Sequence, residues 1–349
     1  MYQTCIWQEF IGIMVAKMAE FISSFTTGFQ KVVYNNLPLQ VRGVKIIDIY
    51  DGLVYYSFNG NSRELAKIPY FNNTFFVLKM LKSPNLKFQD LIAAVANDTK
   101  YYLINKGTCR IRFVRENQFT HVDGKILNRA EQIVLNNSKL KINRLNPTTE
   151  IWYSLRREGF GFCGQLISKR AATEKNLAKG ELRPEVAYLV CCMADIGATD
   201  VVMDPFCGHG ALPVQIATGF RFSKLVASDI DKELVKLVAG RKPLANNENI
   251  NVFVQDGLVL DKIPDSSVDV IITDPPWGFY EKIDDITDFY KKMFSAMRRV
   301  LKPDGRLVIL SARKAELESA AKTEKFVIDD VVNTLVNGKK ASVYKFSIN

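Results

Sequence analysis

A chain of 349 residues, 47% hydrophobic and 24% charged, is long enough for two or three domains and apolar enough for buried cores, which excludes a largely disordered or collagen-like polymer. Six cysteines without a CxxC pair, and only two histidines, His121 and His209, exclude a disulfide framework and leave no metal expected. The formal charge of +10 is unevenly placed: residues 1–180 hold 25 basic and 13 acidic side chains, the remainder 22 and 24. A basic front half beside a nearly neutral back half suits either a module that grips a polyanion or a well-solvated surface.

Along the chain, Phe10–Val15 is apolar but Lys17 and Glu20 interrupt it, and no basic segment precedes it, so neither a membrane span nor a signal peptide is expected. The expectation is a soluble protein of the reducing cytoplasm. Val44–Tyr50 and Leu53–Phe58 are β-rich runs joined at Asp51-Gly52, a two-residue hairpin signal. Phe88–Ala96 carries Phe88, Leu91, Ile92 and Val95 at the spacing of one helix face. Thr108–Val114 alternates like a half-exposed strand, which puts Arg110 and Arg112 on one face. That face suits contact with phosphate, or simply with water.

From about residue 150 the pattern changes. Glu181–Ile196 reads as an amphipathic helix, after which strands (Asp200–Met203, Leu225–Ser228, Val252–Gln255, Val268–Thr273, Arg306–Leu310) alternate with helices (Ala211–Thr218, Lys232–Arg241, Ile286–Leu301). Phe326–Val336 and Ala341–Phe346 flank Asn337-Gly338, a closing antiparallel hairpin. The fold class is α/β: a doubly wound, mostly parallel sheet behind an α+β front region.

Ligands of such sheets bind beyond the carboxyl ends of the strands, and here the first four strands each run into an acid: Asp204, Asp229, Asp256 and Asp274. Any one of them fits a helix cap; four in succession do not reduce to capping. The first turn, Asp204-Pro-Phe-Cys-Gly208-His-Gly210, is not the GxGxxG of dinucleotide sites and suits a cationic or neutral ligand end, such as the methionyl part of S-adenosylmethionine. Asp229 lies at the distance of a ribose acceptor, and Asp256, next to Gly257, suits an adenine amine. Asp274-Pro275-Pro276-Trp277-Gly278 is the sharpest signal. Two prolines remove two backbone donors and leave carbonyl acceptors. A carboxylate and a carbonyl that accept both N–H bonds of an exocyclic nucleobase amine draw that nitrogen toward sp³ geometry, and Trp277 offers a stacking surface.

DPFCGHG followed by TDPPWG resembles the amino-methyltransferases of nucleic acids. Asn143–Pro147, Glu150-Ile-Trp152, the Gly159–Phe162 run, Ser168-Lys-Arg170 and Gly180-Glu-Leu-Arg-Pro184 resemble the THUMP-domain branch, which methylates the guanosine 2-amino group in tRNA with S-adenosylmethionine. Carried onto this chain, the resemblance implies cofactor contacts at Asp204, Phe206, Gly208, Gly210, Asp229, Ile230, Asp256, Gly257 and Asp274. It implies catalysis at Asp274, Pro275, Pro276 and Trp277, and tRNA contacts at Arg110, Arg112, Arg183 and Trp277. Phe162 would close over the donor. Trp277 departs from the Tyr that many relatives carry, keeping the platform without the hydroxyl.

The resemblance also implies a first strand near Met18, making 1–17 an extension, 18–150 a ferredoxin-like and THUMP-like RNA-binding region, 151–180 a linker, and 181–349 the methyltransferase domain. The expected partner is tRNA, with no membrane, and the oligomeric state is left open. Two alternatives stay open on residues alone: an adenine-N6 or cytosine-N4 methyltransferase of ribosomal RNA or DNA, because DPPW serves every exocyclic amine, and a non-catalytic RNA-binding protein on the same fold.

Overall fold

The computed structural model describes residues 19–98, 102–170, 177–178, 180–279 and 283–348, and the extension expected over 1–17 lies outside them. The chain forms two compact units, one taking residues up to Phe25 with Leu37–Arg170, the other Thr26–Asn36 with Ala171–Asn349.

The first begins with β1 (Ala19–Ser24), followed along the chain by helix α1 (Gln30–Gln40), β2 (Lys45–Tyr50), β3 (Leu53–Phe58), a short α2 (Ser62–Leu65) and β4 (Asn73–Lys82). These strands lie in the order β2-β3-β1-β4, the ferredoxin-like arrangement. The Asp51-Gly52 turn closes the expected hairpin, with Tyr50 opposite Leu53 and Gly52 at φ +77°. The sheet continues through β9 (Phe160–Lys169), β8 (Thr149–Arg156) and β5 (Lys106–Arg115), to which β6 (Gln118–Phe119) and β7 (Lys139–Ile142) add. Helices α3 (Phe88–Asp98) and α4 (Gly124–Asn137) complete the unit, and the α3 stripe Phe88, Leu91, Ile92 and Val95 is buried as its spacing predicts.

Two expectations are corrected here. Residues 151–169 are not a linker: β8 and β9 lie inside the sheet, and Ile151, Tyr153 and Cys163 are fully buried. Gly161 and Gly164, which read as linker residues, sit where a side chain would collide; a Cβ on Gly161 would stand 2.6 Å from Leu86, and one on Gly164 2.9 Å from Phe75. Phe162 does not cover a ligand either, since it is 2% exposed and packs on Phe75 in this unit's core, ring centroids 5.6 Å apart.

The second unit starts with α5 (Pro184–Cys192) and alternates β10 (Val201–Asp204), α6 (Ala211–Gly219), β11 (Lys224–Asp229), α7 (Lys232–Ala239), β12 (Ile250–Val254), β13 (Val268–Thr273), α8 (Ile286–Val300), β14 (Leu301–Ser311) and α9 (Lys314–Thr323) before β15 (Phe326–Val336) and β16 (Lys339–Ile348). Its seven-stranded sheet has the order β12-β11-β10-β13-β14-β16-β15. The five strands from β12 to β14 are parallel and β16 is antiparallel to both neighbours, the Rossmann-like methyltransferase order. Asn337 and Gly338 both take positive φ, as a tight two-residue hairpin turn requires. Val202 and Met203, Val270–Ile272 and Leu307–Leu310 are buried without alternation, the mark of strands covered on both faces. Helix α5 is shorter than expected and buried all round from Glu185 to Cys192, so its face is not amphipathic. Among the described residues, no helix is long and apolar enough to cross a membrane.

Candidate active site

Strand β10 pairs with β11 on one side and β13 on the other, so the chain reverses its direction of winding there, and the carboxyl ends of β10 and β13 flank the switch point beyond which ligands of such sheets bind. Asp204 stands at one tip and Asp274 just beyond the other. Asp204 is 1% exposed and accepts from the Thr273 hydroxyl at 2.8 Å and the Phe206 backbone N–H at 3.2 Å. Burial pushes its carboxyl up to about 7, with the Asp229 charge adding to the rise and the two hydrogen bonds opposing it.

The turn after β10 is built on its glycines. Gly208 and Gly210 adopt φ +48° and +83°, and a Cβ on Gly208 would meet nothing within 4 Å, leaving open space beside the backbone. The Gly208 N–H donates to Asp229 Oδ2 at 2.8 Å, and the Asp231 N–H to Asp229 Oδ1 at 3.0 Å. Asp229 is thereby oriented by two backbone donors while each oxygen keeps further lone-pair capacity. The next residue, Ile230, is 70% exposed, an apolar side chain left in solvent at the edge of the site.

Asp256 accepts from the Leu258 N–H at 2.8 Å. Gly257 is required by packing, because a Cβ there would stand 2.5 Å from the Phe206 ring. Phe206 therefore spans from the glycine turn to the end of β12 and also packs on Phe289, centroids 5.8 Å apart.

At Asp274 burial again dominates: the carboxyl is pushed up to about 8, first by desolvation and then by the Asp204 charge, while the nearby Trp277 indole opposes the rise. Asp274 Oδ1 is buried and has no hydrogen-bond partner. Trp277 is half-buried; its Nε1–H donates to Leu310 O at 3.3 Å, which fixes the ring against β14. Arg313 Nε donates to the Trp277 carbonyl at 2.7 Å. Pro275 is buried and Pro276 half-buried, the latter beside the indole in sequence.

The structure thus gathers Asp204, Phe206, Gly208, Gly210, Asp229, Ile230, Asp256, Gly257 and the Asp274–Trp277 segment around the carboxyl ends of four parallel strands. Arg183 caps α5 without a side-chain cap bond and lies 3.4 Å from Glu185, whose Oε2 is buried without a partner. Arg110 and Arg112 belong to the other unit and share a face of β5 as expected, but both turn to Glu150. Arg110 Nη2 hydrogen-bonds Glu150 Oε1, Arg112 Nε lies 3.8 Å from Oε2, and the Trp152 indole donates to Oε2 at 2.7 Å. Arg112 also lies over the exposed Phe119 ring at 4.8 Å. Sequence reasoning missed Thr273 and Arg313. Arg313 stands two residues past the end of β14, so the strand-end rule applied to one further strand would have found it.

A family model for the RMKL-like methyltransferase domain, UPF0020, matches residues 172–341. The chain is 21% identical to the tRNA (guanine(6)-N2)-methyltransferase of Methanocaldococcus jannaschii, over 94% of this chain and all of that one. It is 31% identical to the probable tRNA (guanine(10)-N2)-dimethyltransferase of Methanothermococcus thermolithotrophicus, over 37% of this chain and 83% of that one. The fold is that of TrmN from Thermus thermophilus, with a TM-score of 0.76 at 19% identity, covering 95% of this chain and all of TrmN.

Proposed function

The chain belongs to the THUMP-associated family of tRNA guanine-N2-methyltransferases, and from that premise we propose that it methylates the exocyclic 2-amino group of a guanosine in tRNA with S-adenosylmethionine as donor. The observation that carries this reading is the buried Asp274 Oδ1 without a partner. A buried carboxylate oxygen left unsatisfied costs about 1–3 kcal/mol or more, which a fold retains where a ligand supplies the missing donor. It adjoins Pro275, so the same tip combines an acceptor without a donor and a stretch of backbone without N–H groups.

The residues suit the donor as well. Asp204 and Asp274 are buried acids whose charged forms a nearby cation favours, Gly208 leaves the turn open, Asp229 offers lone pairs for hydroxyls, and Ile230 offers an apolar cover. When bound, S-adenosylmethionine supplies an electrophilic methyl group on a sulfonium. Every other task falls to the protein. Ionised Asp274 accepts one N–H of the base amine and the Pro275 carbonyl accepts the other, which pulls the nitrogen lone pair out of conjugation. Trp277, held by Leu310 O and Arg313, bears on the base. The nitrogen must shed a proton as the new N–C bond forms, and Asp274, whose affinity lies near 8, takes it. The base must leave its stack to reach a strand tip, which costs a few kcal/mol that stacking on the indole offsets.

The front unit adds cationic surface in this reading, with Arg110 and Arg112 contributing less than their formal charge because Glu150 already binds both. Incubating tRNA with the protein and labelled donor, then digesting to nucleosides, tests the proposal. Label in N2-methylguanosine or N2,N2-dimethylguanosine is expected; label in N6-methyladenosine alone would contradict it.

A further inference from the structure

Beyond the two prolines the chain presents a feature that methyl transfer by itself does not use. Phe279 is 45% exposed, and two cations converge on its ring: Lys339 Nζ lies 3.9 Å from the centroid and Arg313 Cζ 4.8 Å. The three residues come from separate segments, the loop after β13, the start of α9 and the first position of β16, so the fold rather than local sequence gathers them. Each cation–π contact at an exposed ring is weak, and the two like charges repel. With two cations on it, the ring collects charge rather than receiving a base.

Arg313 is held. Its Nε donates to the Trp277 carbonyl at 2.7 Å, and its backbone N–H donates to Ser311 Oγ at 2.9 Å, whose hydroxyl pairs with Tyr290 OH at 2.8 Å. Glu316 stands 3.8 Å from its Nη1, beyond hydrogen-bonding distance. A guanidinium fixed through Nε keeps its paired Nη groups for a planar or tetrahedral oxyanion. Two positive charges within 4.8 Å of one point, one residue past the Trp277-Gly278 pair and only partly offset by Glu316, suit an anion such as the singly charged phosphodiester.

We propose that Arg313 and Lys339, gathered on Phe279, form a phosphate site for the RNA strand that holds the phosphodiester beside the nucleotide whose base enters the Asp274 tip. This rests on the RNA-methyltransferase reading and extends it to the backbone of the substrate. Phosphate contacts set register without reading sequence, and an unstacked base needs its own backbone anchored. Because Arg313 also bonds the Trp277 carbonyl, phosphate and base platform are fixed by one side chain.

Equilibrium binding of tRNA across a salt series, with Lys339→Gln and Phe279→Leu, tests the site. Each variant is expected to raise the Kd for tRNA about 3- to 10-fold at low salt and to flatten the plot of log K against log salt by about 0.7–0.9, the loss of one phosphate contact, with Lys339→Arg restoring both. S-adenosylmethionine affinity, measured by calorimetry, stays at the wild-type value and reports that the variants are folded. Wild-type affinity and slope in both variants would overturn the phosphate site. If the wild type binds tRNA with the steeper slope and transfers no methyl group, the methyltransferase reading fails while the phosphate site stands.

Discussion

Thr273 and Asp204 join the tips of adjacent strands: the Thr273 hydroxyl donates to Asp204 Oδ1 at 2.8 Å, both side chains being buried. That bond sits one residue before Asp274, so it ties the acid at the first strand to the backbone that carries the acid at the fourth. Thr273→Val keeps the shape and removes the donor, leaving a buried carboxylate oxygen with one weak backbone partner. A loss of about 1–3 kcal/mol is expected at pH 8, where Asp204 is mostly charged, and a smaller loss at pH 5.5, read from urea denaturation at the two pH values.

Burial pushes the carboxyls of Asp204 and Asp274 up to about 7 and about 8, the Asp204 charge adding to the rise at Asp274. The folded state therefore binds more protons than the unfolded chain between about pH 4 and 8. Their contribution to stability is fully present below the unfolded value and lost as pH rises through the folded one, at about 1.4 kcal/mol per unit of pKa difference. Ligand-free protein is expected to melt at lower temperature at pH 9 than at pH 5.5, and Asp274→Asn to reduce that slope. Calorimetric scans in matched ionic strength check this; an unchanged slope in the variant would contradict the assignment.

The same titration predicts the activity profile. Proton acceptance needs ionised Asp274, so kcat/KM for tRNA should rise with pH through the neutral range and level off above about 8, since kcat/KM reports the free enzyme. The positive charge of the donor favours the ionised acid, so the limb in kcat at saturating donor should lie lower.

Gly257 and Phe206 give a packing test. Gly257→Ala sets a Cβ 2.5 Å from the Phe206 ring and must displace it. A weakening of S-adenosylmethionine binding by about ten-fold or more is expected by calorimetry, with little change in the far-ultraviolet spectrum.

Glu150 and the two arginines on β5 supply a fifth. Burial pushes the Glu150 carboxyl up, but Arg110, the Trp152 indole and Arg112 hold it below the usual range. Glu150→Gln releases the charge of both arginines and is expected to tighten tRNA binding and steepen its salt dependence. It should also destabilise the unit by about 1–3 kcal/mol at neutral pH. Weaker tRNA binding with an unchanged salt slope would show that the pair contributes no electrostatic attraction.

The back half of the fold was legible because its first four strands are short apolar runs that each lead into an acid, and three of its helices begin at a glycine turn or an acidic cap, at Gly210, Asp231 and Asp285. The front half was legible where turn chemistry is explicit, at Asp51-Gly52. Reading failed at β8 and β9, where Gly159, Gly161 and Gly164 resemble a flexible connection. Gly161 and Gly164 serve close packing against Leu86, Leu155 and Phe75, partners distant in sequence or across the sheet, and Gly159 serves a turn at positive φ, none of which local pattern reveals. Helix α5 failed for a related reason: a helix buried on every side has no polar face to mark its period. Site residues announced by motif were found, whereas Thr273, Glu150 and Arg313 act through partners 36 to 69 residues away, and only the folded chain pairs them with Asp204, Arg110 and Trp277.

The central claim is that the Asp274 carboxylate engages the base amine. Single-turnover transfer of labelled methyl to tRNA by Asp274→Ala, with donor and tRNA affinities measured on the same preparation, tests it most directly. A fall in rate of about 10²- to 10⁴-fold is expected, with both ligands still bound. Transfer at the wild-type rate by that variant would contradict it.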